Sequence, residues 1–279
     1  MNQETVKKLI ENGVLPTQDI LKKIEKHGIE SVLKKNKKRA EMSIEKRAIN
    51  ALESLTPKDF FQYYTNKYEG IKSLLLKKMS AISINQAKNS FLPVSVIGMV
   101  QEKTPSGFIL EDPTGRIEVI SQEDSIKPDD VLGVTGPVRE QKLFAEKIIW
   151  PDIPLTHKTK NIPITITLSL EKKDKNTIVP DTNPFWCDIW YGNEKITLLA
   201  YKPENEIEKQ DAFELLKKRH LSPERNRITF VEDYFLIEPV PDVFWIITQK
   251  EWSAIYKGVT VVSGEKVKIN LENMEIIKI

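Results

Sequence analysis

Residues 109–120 read ILEDPTGRIEVI, and their pattern gives the clearest indication of the fold in the middle of the chain. Two short apolar runs flank Asp112-Pro113-Thr114-Gly115, whose residue types favour a tight turn between two strands. Three more strand patterns surround the pair: PVSVIGMVQEKT (93–104), DVLGVTGPV (130–138) and KLFAEKIIW (142–150). Five short strands joined by turns are typical of a small closed barrel, so we predict a five-stranded OB-type β-barrel over residues 91–156.

The segment before the barrel has a helical pattern. We predict a small helical domain over residues 1–40 and a helical linker over 41–90 that packs on the barrel. In the linker, MSIEKRAINALESL (42–55) is interpreted as a helix, and Thr56-Pro57 as the start of a second one. The second helix carries a row of aromatic residues at helical spacing. That row is either a surface packed on the next domain or a surface on which bases stack.

Residues 157–279 mix short strands with a helix at EIEKQDAFELLKKRHL (206–221). Strand patterns are PITITLSL, WCDIWYG, KITLLAY, DYFLIEPV, VFWIITQ and GVTVVSG, followed by a final strand pair in VKINLENMEIIKI. The predicted fold class is therefore α+β: an amino-terminal helical module, the barrel and a β-rich carboxy-terminal domain.

The net charge of the 279 residues is +2, but the charge is unevenly distributed. Residues 1–90 carry a net +8 and residues 91–155 a net −5. The basic side chains are candidates for contact with nucleic acid phosphates, although a charge run can also be a solvated linker or helix end. The candidates are Lys34, Lys35, Lys37, Lys38, Arg39, Lys103 and Arg116.

The chain has few residues with which to build a catalytic site. It holds one cysteine and three histidines, and it has no phosphate-binding glycine loop, nucleophile elbow or zinc motif. Cys187 has the setting of a buried small apolar residue, and His220 that of a helix cap. We predict no catalytic residue, no metal site and no cofactor. The absence of a signal core or a long apolar run leads us to expect a cytoplasmic protein without a membrane partner.

Several blocks of sequence resemble the small subunit of archaeal family D DNA polymerase. ILEDPTGRIEVI, DDVLGVTGPV (129–138) and FAEKIIWPDIP (144–154) resemble its OB-fold domain. AFELLKKRHLSPE (212–224) and EDYFLIEPVPDVF (232–244) resemble the carboxy-terminal half of its calcineurin-like phosphoesterase domain. The resemblance implies that residues 157–279 are a reduced form of that domain.

The metal-binding motifs of that phosphoesterase domain are missing from the sequence. An active member carries Asp-x-His, Gly-Asp, Gly-Asn-His-Asp and Gly-His-x-His blocks, whose side chains hold two metal ions. Here PITITLSLEKK has no Asp-x-His after it, and Trp245-Ile246-Ile247-Thr248-Gln249-Lys250 stands in place of the last block. The resemblance therefore implies a domain without nuclease activity.

By this resemblance, the chain is expected to be a non-catalytic accessory subunit that scaffolds the large catalytic subunit of a DNA polymerase, with DNA as a second candidate partner. Trp150, Trp245 and Trp252 are candidate anchors for the partner, or else ordinary core residues. The alternative function is a free-standing OB-fold single-stranded DNA-binding or adaptor protein. An active nuclease is the third interpretation.

Overall fold

A computed structural model describes residues 24, 42–49, 56–172, 174–223 and 228–277. The helical domain predicted for residues 1–40 lies outside this part of the chain, apart from Ile24. The described residues are mostly β-strands, which form three sheets, together with a few helices.

The middle of the chain forms a seven-stranded sheet. Its strands are β2 (Val94–Thr104), β3 (Gly107–Asp112), β4 (Gly115–Ile120), β5 (Val131–Gly136), β6 (Val138–Arg139), β7 (Lys142–Phe144) and β8 (Lys147–Ile149). Their order across the sheet is β6-β7-β4-β3-β2-β5-β8. The predicted strands are thus present, with the fourth and fifth patterns each divided into two short strands.

Strands β7 and β8 lie near opposite ends of this sheet, and the short chain between them curls the sheet into a half-barrel. Strand β7 pairs in parallel with β4, and β8 pairs antiparallel with β5, although only Ala145 and Glu146 separate the two strands. Both intervening amides donate to the barrel, Ala145 to the Ile120 carbonyl and Glu146 to the Thr135 carbonyl. The sheet therefore curls back on itself, and its strand order agrees with an OB-type barrel.

Helix α1 (Pro57–Leu76) connects the barrel to the carboxy-terminal half. The Thr56 side chain caps this helix by accepting the Asp59 amide, and the Asp59 carboxylate accepts the Thr56 amide, which is the pattern of a capping box. Tyr68, Ile71 and Leu75 pack on the barrel, whereas Tyr63 packs among carboxy-terminal residues. Helix α2 (Ile84–Ala87) buries its two end residues in the barrel interior.

The carboxy-terminal half holds two further sheets and helix α3 (Lys209–Lys218). One sheet has the order β1-β11-β12-β13-β15-β14 and the other β10-β9-β16-β17. Their strands are β1 (Met42–Lys46), β9 (Thr165–Ser169), β10 (Thr177–Ile178), β11 (Phe185–Tyr191), β12 (Glu194–Tyr201), β13 (Val243–Ile246), β14 (Trp252–Tyr256), β15 (Val259–Ser263), β16 (Lys266–Asn270) and β17 (Glu275–Ile277).

The six-stranded sheet has an apolar core on each face. One face packs against the four-stranded sheet, and the other packs against α3 and the segment containing Phe230 and Phe235. Strands β13 and β15 lie inside the sheet and are buried along their whole length. Burial on both faces explains why VFWI and VTVVS read as continuous apolar runs.

Two sequence predictions are wrong in this half. Met42–Lys46, interpreted as part of a helix, is a strand paired antiparallel with β11. Met42 and Ile44 alternate with more exposed neighbours, and the pairing with β11 at the sheet edge, rather than the local spacing of apolar residues, makes this segment a strand. DYFLIEPV (233–240) is not a strand, because the Asp233 carboxylate accepts the Phe235 amide and bends the chain.

Candidate functional site

The barrel and the carboxy-terminal half are joined by a buried ion pair at the end of α3. Lys218 Nζ lies 2.7 Å from Asp130 Oδ2, and both side chains are buried. The same carboxylate oxygen accepts the amide of Lys127 at 2.7 Å. Each buried charge is compensated by the opposite charge of its partner, because water does not reach either group. The ion pair therefore holds α3 against the segment preceding β5.

His220 follows this pair and is buried in a hydrogen-bonded network. Its Nδ1 accepts the Ser222 amide at 2.8 Å, so the neutral ring carries its proton on Nε2. Nε2 lies 3.2 Å from Asp233 Oδ1 and 3.5 Å from the Tyr63 hydroxyl. Burial lowers the pKa of His220, and the positive charge of Lys67 acts in the same direction. His220 is thus a buried structural histidine rather than the helix cap predicted from its position.

Lys67 brings a third buried charge to this junction. It is only 5% exposed. Burial lowers the pKa of Lys67, whereas Asp233, Asp129 and Asp130 act to raise it. Lys67, Lys218 and His220 line a cavity of about 540 Å³ between α1 and α3. Lys67 is not among the residues predicted from the sequence, although its position four residues after the aromatic Tyr63 and four before Ile71 places it on the apolar face of the helix.

The segment between the barrel and the last domain is held by Asp152. Its amide donates to the Lys217 carbonyl at 2.8 Å, and its carboxylate accepts the Tyr256 hydroxyl at 3.0 Å and pairs with Lys257. Lys78, just after α1, donates to the Asp152 carbonyl at 3.1 Å. The junction is therefore a continuous set of polar contacts among α1, α3 and the β14–β15 hairpin.

Two carboxylates of the six-stranded sheet and its border, Asp188 and Asp242, form hydrogen bonds within the fold. Asp188 accepts the Thr197 hydroxyl at 2.8 Å and lies 3.0 Å from Lys195 Nζ. Asp242 accepts the Thr197 amide at 2.8 Å, and burial raises its pKa. Among the residues that the structure describes, no three His, Cys, Asp or Glu side chains form a group that could hold a metal ion. Cys187 is fully buried, which raises the pKa of its thiol to about 12.

The basic residues predicted to contact nucleic acid do not form one site in the described part of the chain. Lys34, Lys35, Lys37, Lys38 and Arg39 lie outside it. Lys103 is exposed on β2, and its ammonium donates to the Asp124 carbonyl at 2.8 Å. Arg116 lies on β4 in a shallow depression that has Lys88, Glu102 and Glu118 in its lining but not Lys103.

The three candidate anchor tryptophans have different environments. Trp245 is fully buried, and its indole donates to the Gly264 carbonyl at 2.7 Å, so it is a core residue and the prediction of a surface anchor is wrong. Trp252 is half-buried on the edge strand β14. Trp150 is half-buried, with the ammonium groups of Lys217 and Lys218 5.3 and 5.2 Å from its ring. It lines a surface depression of about 480 Å³ at the junction.

A search for helices with the length and apolarity needed to cross a membrane found none in the described residues.

No protein-family model matches the chain. The chain is 30% identical over 107 residues to the DNA polymerase II small subunit of Archaeoglobus fulgidus, a match that covers 35% of this chain and 22% of that protein. It is 30% identical over 113 residues to the DNA polymerase II small subunit of Methanothermobacter thermautotrophicus, covering 34% of this chain and 23% of that protein.

Among solved structures, the chain is similar to the telomere capping protein Ten1 from Saccharomyces pombe, with 22% identity and a TM-score of 0.23. That match covers 25% of this chain and 79% of that one. The Stn1–Ten1 complex of the same organism matches with 21% identity and the same TM-score, covering 25% of this chain and 76% of the other. In sequence, the chain is related over about a third of its length to DNA polymerase II small subunits, of which the match spans less than a quarter.

Proposed function

We propose that this chain is a non-catalytic accessory (small) subunit of an archaeal replicative DNA polymerase complex, which scaffolds the large catalytic subunit and has no 3'-5' exonuclease activity. The observation that carries the proposal is the relationship to two DNA polymerase II small subunits, each 30% identical to the chain. The curled sheet supports the predicted OB-type domain, and we propose that residues 157–279 are a reduced phosphoesterase domain.

The chemistry around β13 supports the non-catalytic part of the proposal. The strand is followed by Ile247 and Thr248, at the place where the resemblance implies metal-binding histidines. The Thr248 hydroxyl lies 2.7 Å from the Ser263 hydroxyl, which also donates to the Lys250 carbonyl at 2.7 Å. Neutral hydroxyl groups that bond to each other and to backbone are poor ligands for the two divalent ions of a phosphoesterase, which prefer carboxylate and imidazole groups.

The surface at the junction supports a scaffolding role. The half-buried Trp150, whose ring lies beside the ammonium groups of Lys217 and Lys218, leaves part of a large aromatic side chain at the surface, and tryptophan is enriched among the residues that dominate protein interfaces. Trp252 on an edge strand is the second candidate anchor. We propose Trp150 and Trp252 as contacts for the large subunit.

Co-expression of the full chain with the large DNA polymerase subunit of the same genome tests the proposal. We expect the two to co-elute in size-exclusion chromatography. We also expect the purified chain alone to leave a mismatched primer terminus intact in Mn²⁺. A chain that elutes alone contradicts the accessory role. Mn²⁺-dependent degradation that is lost in an Asp242→Asn variant contradicts the non-catalytic part.

Binding to single-stranded DNA separates this proposal from a free-standing DNA-binding protein. The barrel segment is net −5, which disfavours phosphate contacts there, whereas the +8 segment at residues 1–90 supplies positive charge. We expect weak binding of an oligothymidine, which disappears when Lys34, Lys35, Lys37, Lys38 and Arg39 are replaced by glutamine. Tight binding that persists in this variant favours the free-standing alternative.

A further inference from the structure

Helix α1 and the barrel enclose a groove whose walls are aromatic and apolar. The groove has a volume of about 810 Å³. Its described lining residues are Phe60, Phe61, Tyr64, Thr65, Tyr68, Glu69, Met99, Val100, Gln101, Glu111, Asp112, Pro113 and Asp129. The aromatic residues recur along α1 at helical spacing, so that they form one stripe along the groove.

Phe61 is the feature of the groove that most needs an explanation. Its side chain is 74% exposed, whereas Tyr68, two turns further along the helix, is 7% exposed and packs on the barrel. A phenylalanine left in water beside an open apolar groove forfeits the favourable free energy of burying its ring. A partner that covers the groove would recover this burial.

The floor of the groove is shaped by an irregularity of the barrel. The register between β2 and β3 shifts between Val100 and Glu102, which makes Gln101 an extra residue. Beside it, the Asp129 amide donates to the Val100 carbonyl and the Val100 amide to the Asp130 carbonyl, each at 2.8 Å. Bulges of this kind bend a strand and turn a side chain away from the ladder, so the groove is built into the barrel.

Charge decides what class of partner fits this groove. Glu69, Glu111, Asp112 and Asp129 are in the lining, and no lysine or arginine is among its described members. Glu111 is exposed, and its carboxylate has no hydrogen bond or ion pair among the described residues, whereas Glu69 pairs with Lys72 at 3.0 Å. Four carboxylates repel the phosphates of nucleic acid, which removes base stacking as the role of these aromatics.

We propose that this groove binds a basic amphipathic segment of a partner protein, whose apolar side chains cover Phe61 and whose lysine or arginine side chains meet Glu111. A short helix laid along an apolar groove with charges at its rim is a common way to bind a peptide. Charge complementarity is what selects a basic segment over an acidic one. The inference concerns the chemistry of the segment and stands whether or not the partner is a polymerase subunit.

The test is a fluorescence anisotropy titration of the full chain against labelled model peptides. The probe is a leucine–lysine peptide of about 14 residues, or four helical turns, with leucine on one face. A leucine–glutamate peptide of the same pattern is the control probe. We expect the first to bind and the second to remain free. Binding of both peptides with equal affinity would overturn the proposal, because it would show no selection by charge.

Variants of exposed residues locate the binding without disturbing the fold. We expect Phe61→Ala to weaken binding about tenfold and Glu111→Gln about threefold. Phe91→Ala and Glu265→Gln are the matched controls, because both residues are exposed and lie outside the groove. They should bind as the unmodified chain does. The groove would be refuted as a peptide site by an equal loss of affinity in the control variants or by unchanged binding in Phe61→Ala. It would also be refuted if an oligothymidine displaced the peptide and Glu111→Gln bound the peptide with unchanged affinity.

Discussion

Lys218 Nζ lies 2.7 Å from Asp130 Oδ2, and this ion pair connects the last turn of α3 to the barrel with both side chains more than nine-tenths buried. Removing one partner leaves a buried charge without compensation, so Lys218→Met should lower the free energy of unfolding by about 3 kcal/mol. The measurement is urea denaturation followed by tryptophan fluorescence.

A double-mutant cycle with Asp130→Asn tests whether this loss belongs to the pair. The double variant should be more stable than the sum of the two single losses predicts. Lys217→Met is the matched control, since Lys217 is more exposed and pairs with Glu214 one turn away. The free energy of unfolding of this control variant should stay within about 0.5 kcal/mol of that of the unmodified chain. Strictly additive losses would mean that the pair does not hold the junction.

The buried His220 should make stability depend on pH. Its pKa in the folded chain lies below the ordinary value of 6.5, so the unfolded chain binds more protons as the pH falls. The contribution of His220 to the free energy of unfolding is complete above about pH 6.5, and it is lost progressively as the pH falls towards the pKa of the folded chain. His220→Gln should show a smaller difference in unfolding free energy between pH 7.5 and pH 5.5, although it is less stable at pH 7.5. An undiminished pH dependence would contradict this assignment. Burial also lowers the pKa of His157, so we expect part of the pH dependence to remain in this variant.

Substitutions of Trp245 and Trp150 should distinguish an effect on folding from an effect on partner binding. Trp245→Ala removes a fully buried ring and its hydrogen bond to Gly264, so we expect a loss of about 3–5 kcal/mol in unfolding free energy. Trp150→Ala removes a half-buried ring at the surface and should keep the fold. If Trp150 is an anchor, affinity for the large subunit should fall about tenfold, measured by quantitative pull-down. Wild-type affinity in that variant would remove Trp150 from the interface.

Gly136 should tolerate no side chain because of its position in the barrel. A Cβ atom there would lie 1.9 Å from the Phe144 carbonyl oxygen, which belongs to the backbone and cannot move aside cheaply. Gly136→Ala should therefore destabilise the chain by about 3 kcal/mol or more, measured by thermal denaturation. In Gly70→Ala the new methyl group meets only the flexible Leu236 side chain, and alanine favours the helix. A melting temperature unchanged in both variants would show that the closing strand does not approach Gly136 this closely.

Local sequence patterns are sufficient to predict a secondary-structure element wherever one residue type or one hydrophobic period dominates the segment. The Asp112-Pro113-Thr114-Gly115 turn, the Thr56 cap and the alternating strands of the barrel were all predicted, because turn, cap and pleat depend on neighbours in the chain. The same reasoning failed for Met42–Lys46. Its period of two was too short to outweigh a helical spacing, and its partner β11 begins at Phe185, far along the chain.

The barrel strands and the connecting helix follow from residue type and local spacing, so the amino-acid sequence alone predicts them. Packing in three dimensions is what brings Lys67, Asp130, Lys218 and His220 to one junction, buries Trp245 in the core and places Phe61 beside an acidic groove. The physical reason is that burial and charge pairing depend on which distant segments pack together, and a pattern of period two or 3.6 does not contain that information.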